Sequence, residues 1–329
     1  MRIERLIVMN SHVTDIYNNQ AMEAYLLNHC PDNSCILFLW QNDRTVVIGR
    51  NQNAWSECRI RELNTDNGKL ARRLSGGGAV YHDLGNINFT FICNEDSKDI
   101  FKQTEVIIRA VNSFGLDVKK TGRNDLEING RKFSGHAYYD RETMSLHHGT
   151  IMIDVNEDAL TKYLCVPKHK LVFKGISSVR SRVGNLSDIS DRITVATMKQ
   201  AIITACSDIY GLCVERWSEK MDFDEFLRLK NMFSSKEWIL GCQCNCTWHN
   251  DKHFDWGNIE FEFDVENKII KDCRVYSDAM DASFIASLPS VLIGKDYDSR
   301  ILCEAVRPLE PKNLRIIDDI CIFFSEQCF

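Results

Sequence analysis

The chain lacks any uninterrupted apolar run approaching about 18 residues, so no membrane-spanning helix is expected. It lacks a basic excess as well. Lys and Arg number 40 against 46 Asp and Glu, a formal charge of −6, which argues against a general nucleic-acid or anionic-membrane binder. The opening Met1-Arg2-Ile3-Glu4-Arg5 has neither the apolar core nor the small-residue cleavage pattern of a secretory signal. An organelle-targeting peptide already removed stays open. Internal repeats and low-complexity segments are missing too. What remains is 44% apolar and 26% charged residues, an ordinary globular composition that excludes disordered and collagen-like classes.

At about 150 residues per domain, a length of 329 suggests two domains. The charge is divided unevenly between them. Residues 241–329 carry 9 basic and 16 acidic residues, which leaves residues 1–240 at +1. The expected division is therefore 1–240 and 241–329. Fourteen cysteines fall below the fraction of about 8–10% that marks a disulfide scaffold. Several, such as Cys93 and Cys321, sit inside apolar runs and read as small buried hydrophobes in a reducing compartment.

Thr14 is placed to cap a helix in which Tyr17, Ala21, Ala24 and Tyr25 share a face. Cys35 to Trp40 and Thr45 to Ile48 suit strands, and Ile87, Phe89 and Phe91 alternate with Asn88 and Thr90 as a half-buried strand does. Ile107, Ile108, Val111 and Phe114 mark a helix that Gly115 stops. A hairpin is expected over Leu126 to Ser134, because Asn129-Gly130 supplies the two positive φ values of a type I′ turn. In that register Glu127 faces Lys132, with Leu126, Ile128 and Phe133 on the opposite side. Further helices are expected at Val195 to Tyr210 and Phe223 to Phe233. After a linker at Ser234-Ser235, the alternating Ile259, Phe261, Phe263 and Val265 and a second strand from Ile269 to Tyr276 read as a small α+β domain.

The most informative segment is Arg72-Arg73-Leu74-Ser75-Gly76-Gly77-Gly78-Ala79-Val80-Tyr81-His82-Asp83. Consecutive glycines let backbone N–H groups turn toward one point, and neighbouring arginines add positive charge, which suits a phosphate or another anion. It is neither a Walker A loop nor a Rossmann fingerprint, since no Gly-Lys-Ser/Thr closes it and it opens onto a strand-like run. The alternative is a tight strand-to-strand corner with two solvated arginines. Lys132 is either a reactive-site cation or a surface lysine paired with Glu127, and Asp125 either holds a phosphate-bridging divalent metal or simply opens a strand. His147 and His148 point to opposite faces of a strand and so do not share a metal. Cys242, Cys244, Cys246, His249 and His253 contain enough ligands for zinc, but their spacing also fits one buried face of a strand, which is the preferred reading.

The run Arg-Arg-x-Ser-Gly-Gly-Gly-Ala-Val-Tyr-His-Asp-x-Gly-Asn-x-Asn-Phe, then Gly-Arg-Asn-Asp, Asn-Gly-Arg-Lys-Phe-Ser-Gly and His-His-Gly-Thr, closely resembles the lipoate–protein ligases. Lys174 to Val183 is similar to that family too, and Trp256-Gly257 with the following hairpin looks like its small C-terminal domain. The resemblance implies an α+β fold, with a mixed-sheet catalytic domain of the class II aminoacyl-tRNA synthetase and biotin ligase type and a small α+β C-terminal domain. It implies ATP-dependent activation of lipoate to lipoyl-AMP, then transfer to a lysine of an acceptor. By resemblance Lys132 is the catalytic cation, touching lipoate and ATP. Arg73, the backbone of Gly78, Ala79, Val80 and Tyr81, and Asn124, Asp125 and Thr150 would serve ATP, Asp125 would hold Mg²⁺, and Gly77 and His82 would line the acyl pocket. Implied partners are lipoyl domains of 2-oxoacid dehydrogenase acyltransferase subunits and the glycine cleavage H protein. A monomer is expected, cytoplasmic or in an organelle for a eukaryotic source. His136 departs from the family, which more often has a small residue there; facing the acyl chain, it would alter preference between lipoate and octanoate. The alternatives are a transferase of the same fold, working through a thiol such as Cys165 or from preformed lipoyl-AMP, and a non-enzymatic lipoate sensor.

Overall fold

The computed structural model describes residues 2–122, 124–165, 183–241, 245–311 and 314–326. They divide into two compact units. The first comprises the described residues of Met1–Val47, Cys58–Ala71 and Val80–Ile239, and the second those of Ile48–Glu57, Arg72–Ala79 and Leu240–Phe329. The second unit thus takes in two segments that precede residue 240, among them the glycine-rich run.

The first unit is built on an eight-stranded mixed sheet. Its strands are β1 (Arg5–Asn10), β2 (Ser34–Trp40), β6 (Asn86–Asn94), β7 (Lys119–Thr121), β8 (Asp125–Ile128), β9 (Arg131–Arg141), β10 (Met144–Met152) and β11 (Val214–Arg216), in the spatial order β11-β1-β2-β6-β10-β9-β8-β7. The pairs of β1 with β11 and with β2 are parallel, and the others are antiparallel. Between β2 and β6 the chain forms β3 (Thr45–Ile48), β4 (Lys69–Arg72) and β5 (Val80–His82), a small sheet with β3 in the middle.

One face of the large sheet packs Leu37, Phe89, Phe91, Leu126 and Phe133 against the helices Ile100–Asn112 and Val195–Tyr210. The other face packs Ile36, Phe38, Trp40 and Leu146 against the helix Ile16–Asn28. That helix is capped by Asp15, not Thr14, because the Asp15 carboxylate reaches the Asn18 N–H at 2.9 Å. The helix Val195–Tyr210 begins on a Thr194 capping box and ends on Gly211 at φ 66°.

Strand β6 is buried on both faces and not on one as its alternation suggests. It lies centrally, between β2 and β10, so its polar residues are enclosed and must be paired. Thr90 donates to Glu23 at 2.7 Å, and the Asn88 amide donates to the Trp40 carbonyl at 3.4 Å.

The hairpin forms as its turn residues dictate, with φ of 53° at Asn129 and 76° at Gly130. Strand β9 then departs from regular pairing. Leu126 faces Ser134 while Glu127 faces Lys132, so Phe133 is an extra residue, a β-bulge. Its ring is 1% exposed, on the same side as Leu126 and Ile128.

In the second unit, β12 (Trp248–Phe254), β13 (Gly257–Glu266) and β14 (Ile269–Ser277) form an antiparallel sheet. Ile259, Phe261 and Phe263 turn toward the helices Ala282–Leu292, Ser299–Val306 and Arg315–Glu326. No helix among the described residues is long and apolar enough to cross a membrane.

Phe133→Ala is expected to cost about 3–5 kcal/mol of stability, whereas Phe223→Ala, on an exposed ring, should stay within about 0.5 kcal/mol. Urea unfolding of both variants checks the contrast.

Candidate active site

Residues facing one another on neighbouring strands project from the same side of a sheet. The register aligns Trp40, Asn88, Thr150, Gly135, Asp125 and Thr121 in one row across β2, β6, β10, β9, β8 and β7. The neighbouring row on that face runs Phe38, Thr90, His148 and Ala137. Asp125 and Thr150 therefore flank Gly135, which leaves a gap one side chain wide.

Lys132 occupies that gap. Its Nζ lies 2.7 Å from Asp125 Oδ1, and a Cβ placed on Gly135 would stand 3.0 Å from the same ammonium. The bulge makes this possible, since residues 132 and 135 fall on opposite faces of a regular strand. The register across from Glu127 is as expected, but the ion pair goes to Asp125. Both partners are about one-third exposed, so the pair contributes only about 0–1 kcal/mol and Lys132 exchanges readily to a stronger anion. Asn124 holds the turn ahead of β8: its side-chain amide donates to the His136 carbonyl, and its own carbonyl accepts from the His136 N–H at 2.9 Å.

A buried polar layer continues on the same face. His148 Nδ1 lies 2.8 Å from Glu23 Oε1, the oxygen that accepts from Thr90, and Thr90 in turn accepts from the Trp40 indole at 3.0 Å. The Trp40 ring meets His82 edge-on at 6.4 Å, and His82 Nδ1 is 2.9 Å from the Asn42 amide. Trp40, Thr90 and Glu23 were not singled out as site residues in the sequence, and His148 was noted there only as facing away from His147. The one available signal was the polar set Asn86, Asn88 and Thr90 inside an otherwise apolar strand.

His147 points to the opposite face, as alternation requires, where its ring nitrogens lie 2.9 Å from Gln103 Oε1 and 2.8 Å from His136 Nδ1. His136 is therefore across the sheet from Lys132, with its ring against Phe89, and does not face an acyl chain bound on the Lys132 side. Desolvation pushes His136 down to about 3 and His147 well below the usual histidine range, so both rings are neutral at physiological pH.

Of the remaining sequence candidates, Val80, Tyr81 and His82 form β5 in the first unit, with Val46 facing Tyr81 and Thr45 facing His82. Arg73, Gly77, Gly78 and Ala79 belong to the second unit. There the two arginines are buried, not solvated. The Arg72 guanidinium donates to the carbonyls of Gly49, Arg50 and Gln52, and burial lowers its pKa to about 10. Arg73 donates to the carbonyls of Gly76 (2.6 Å) and Gly78 (2.9 Å), which braces the loop from within. A Cβ on Gly76 would stand 2.2 Å from the Ala279 carbonyl oxygen, and Gly77 has φ 89°, so close packing and backbone conformation demand those two glycines. At Gly78 the space is open.

Cys242, Cys244 and Lys174 to Arg182 lie outside the described residues. Cys246 is exposed and precedes β12, so it is not part of a buried strand face, and among the described residues no group of three His, Cys, Asp or Glu is placed to hold a metal. Cys165 is half-buried. Burial pushes the thiols of Cys93 up to about 11 and of Cys206 up to about 12, which makes them inert.

The model of the lipoyl protein ligase A/B catalytic domain matches residues 15–207, and that of the bacterial lipoate protein ligase C-terminus matches residues 243–316. The chain is 35% identical to a lipoate-protein ligase A of Psychrobacter cryohalolentis, over 96% of its own length and 97% of the relative's. Among solved structures, Plasmodium falciparum LipL1 in complex with lipoate aligns with a TM-score of 0.85 and 31% identity, covering 98% of this chain and 99% of that one. A lipoate-protein ligase A bound with ATP aligns with a TM-score of 0.61 and 25% identity, over 73% of this chain and 99% of that one. A structure from the analysis of an archaeal lipoylation system, a bipartite lipoate protein ligase and its E2 lipoyl domain from Thermoplasma acidophilum, gives a TM-score of 0.64 and 26% identity over 75% of this chain and 100% of that one. The α+β architecture with its large mixed sheet and C-terminal domain, the ordered motifs and these matches agree: the chain belongs to the lipoate–protein ligases and is a ligase enzyme.

Proposed function

We propose that the chain works in two steps, forming lipoyl-AMP from lipoate and ATP and then passing the lipoyl group to a lysine of an acceptor domain. The observation that carries this reading is the Lys132 ammonium held over Gly135, between Asp125 and Thr150. In the first step a carboxylate oxygen attacks the α-phosphorus, the bond to the β-phosphate breaks, and pyrophosphate leaves. Two anions must meet for that to happen. Lys132, weakly held by Asp125, bridges them, and its attraction grows as charge gathers on the α-phosphate oxygens. In the second step an acceptor amine attacks the acyl carbon, AMP leaves, and the nitrogen loses a proton. No enzyme-bound acyl group is needed, and the rest is positioning.

Asp125 offers an oxygen ligand of the kind Mg²⁺ takes alongside substrate phosphates, and Mg²⁺ there would neutralise phosphate charge. Asn124 and Thr150 are assigned to the nucleotide. The backbone of Gly78, Ala79, Val80 and Tyr81 is assigned to the phosphates, with Arg73 bracing the loop and supplying charge; the open space at Gly78 supports this. Gly77 and His82 are assigned to the acyl pocket; for His82 the role is supported by the buried layer that it joins through Trp40. The proposed acceptors are lipoyl domains of 2-oxoacid dehydrogenase acyltransferase subunits and the glycine cleavage H protein, bound by a monomer.

Incubation with lipoate, α-labelled ATP and Mg²⁺ without acceptor tests the reading. Labelled lipoyl-AMP is expected, and label that never enters an adenylate overturns the adenylation step in favour of a transferase. Lys132→Ala is expected to abolish adenylate formation while circular dichroism and thermal midpoint stay those of the parent. Near-normal adenylation by that folded variant removes Lys132 from the role. Gly135→Ala should push the ammonium away from Asp125 and slow adenylation about tenfold. Stopped-flow pyrophosphate release measures it.

A further inference from the structure

On the face of the sheet away from Lys132, four buried side chains form a line that nothing above uses: Cys93, Gln103, His147 and His136. Each is no more than 3% exposed. Gln103 points its amide nitrogen at the Cys93 sulfur, 3.8 Å away, which leaves Oε1 for His147 Nδ1 at 2.9 Å. A carbonyl oxygen only accepts, so His147 carries its proton on Nδ1 and accepts on Nε2. The bond of 2.8 Å to His136 Nδ1 is then donated by His136. Hydrogen-bond direction is thereby fixed along the whole line, and His136 Nε2 is left as a buried atom without a hydrogen-bond partner among the described residues. Such an atom opposes folding, so its retention calls for a reason.

The reason lies in the main chain of the same residue. The carbonyl and N–H of His136 are the two groups that clamp Asn124, the residue immediately before Asp125. One residue thus anchors in the core through its ring and grips the Asn124–Asp125 turn through its backbone, one position along β9 from Gly135.

We propose that His136 is a positioning residue for the nucleotide: its Nδ1–H bond to His147 fixes the stretch of β9 that aims Asn124 and Asp125 across the sheet. This rests on the assignment of Asn124, Asp125 and Lys132 to the reaction, and extends it to a residue that touches neither substrate. The ring works through geometry and not through proton transfer, being neutral over the working pH range.

The test uses side-chain amides that reproduce one ring nitrogen at a time. Asn places its N–H where His Nδ1 stands, while Gln places it where Nε2 stands. Adenylation by the full chain is measured for His136→Asn, His136→Gln and His136→Leu, with separate KM values for ATP and lipoate. Expected are a rise of about fivefold or more in the KM for ATP with Gln and Leu, a KM for lipoate within about twofold of the parent, and near-parental values for Asn. Equal losses in Asn and Gln, or losses shared by both substrates in step with thermal midpoint, overturn the proposal, because a residue that merely fills the core behaves that way. Asp125→Asn is run alongside. Loss of adenylation there with unchanged His136→Leu kinetics overturns this inference alone, whereas full activity of Asp125→Asn overturns the site assignment beneath it. Should a His136 variant not fold, ¹⁵N-histidine NMR of the parent decides: Nδ1–H tautomers at His136 and His147 are expected, and an Nε2–H tautomer at His136 overturns the proposal.

Discussion

The candidate site depends on the parity of one strand. Side chains alternate along β9, and the extra residue at Phe133 resets that alternation between Lys132 and Gly135. Without it, either Phe133 would leave the core or Lys132 would turn away from the row formed by Asp125, Gly135 and Thr150. The bulge satisfies both demands together, with the ring 1% exposed on one face and the ammonium over the glycine gap on the other. Apolar burial thus fixes where the cation stands. A lysine held this way needs no strong ion pair, and its partly exposed contact with Asp125 is a weak one.

The two faces of the same sheet do different work. On the Lys132 side, Glu23, Thr90, His148 and Trp40 form a buried, hydrogen-bonded polar layer beneath the helix Ile16–Asn28. On the other side, Gln103, His147 and His136 carry hydrogen bonds through an otherwise apolar core to the backbone that grips Asn124. Adjacent histidines on one strand feed these two networks, which follows from alternation alone. In the second unit the buried arginines act on backbone: Arg72 gathers the carbonyls of Gly49, Arg50 and Gln52, and Arg73 those of the glycine run. Their guanidinium groups are part of how that segment is folded.

The sequence by itself determined the period-two strands, the type I′ hairpin at Asn129-Gly130, the helix Val195–Tyr210, and the division of His147 from His148. These depend on neighbours a few residues apart, and local chemistry is written in local order. The motifs also determined the family. Tertiary structure alone decided the partner of Lys132, the burial of Arg72 and Arg73, the full enclosure of β6, the side of the sheet on which His136 lies, and the assignment of Arg72–Ala79 to the second unit. The enclosure of β6 turns on strands from far along the chain, whereas the partner of Lys132 turns on one extra residue inside its own hairpin. A bulge shifts that pairing by one place, and a central strand position covers what alternation marks as open. The absences met first, of membrane spans and of basic excess, bounded the class of protein. The placement of Lys132 came from an extra residue and a missing side chain, Phe133 and Gly135, whose meaning exists only once β8, β9 and β10 are laid side by side.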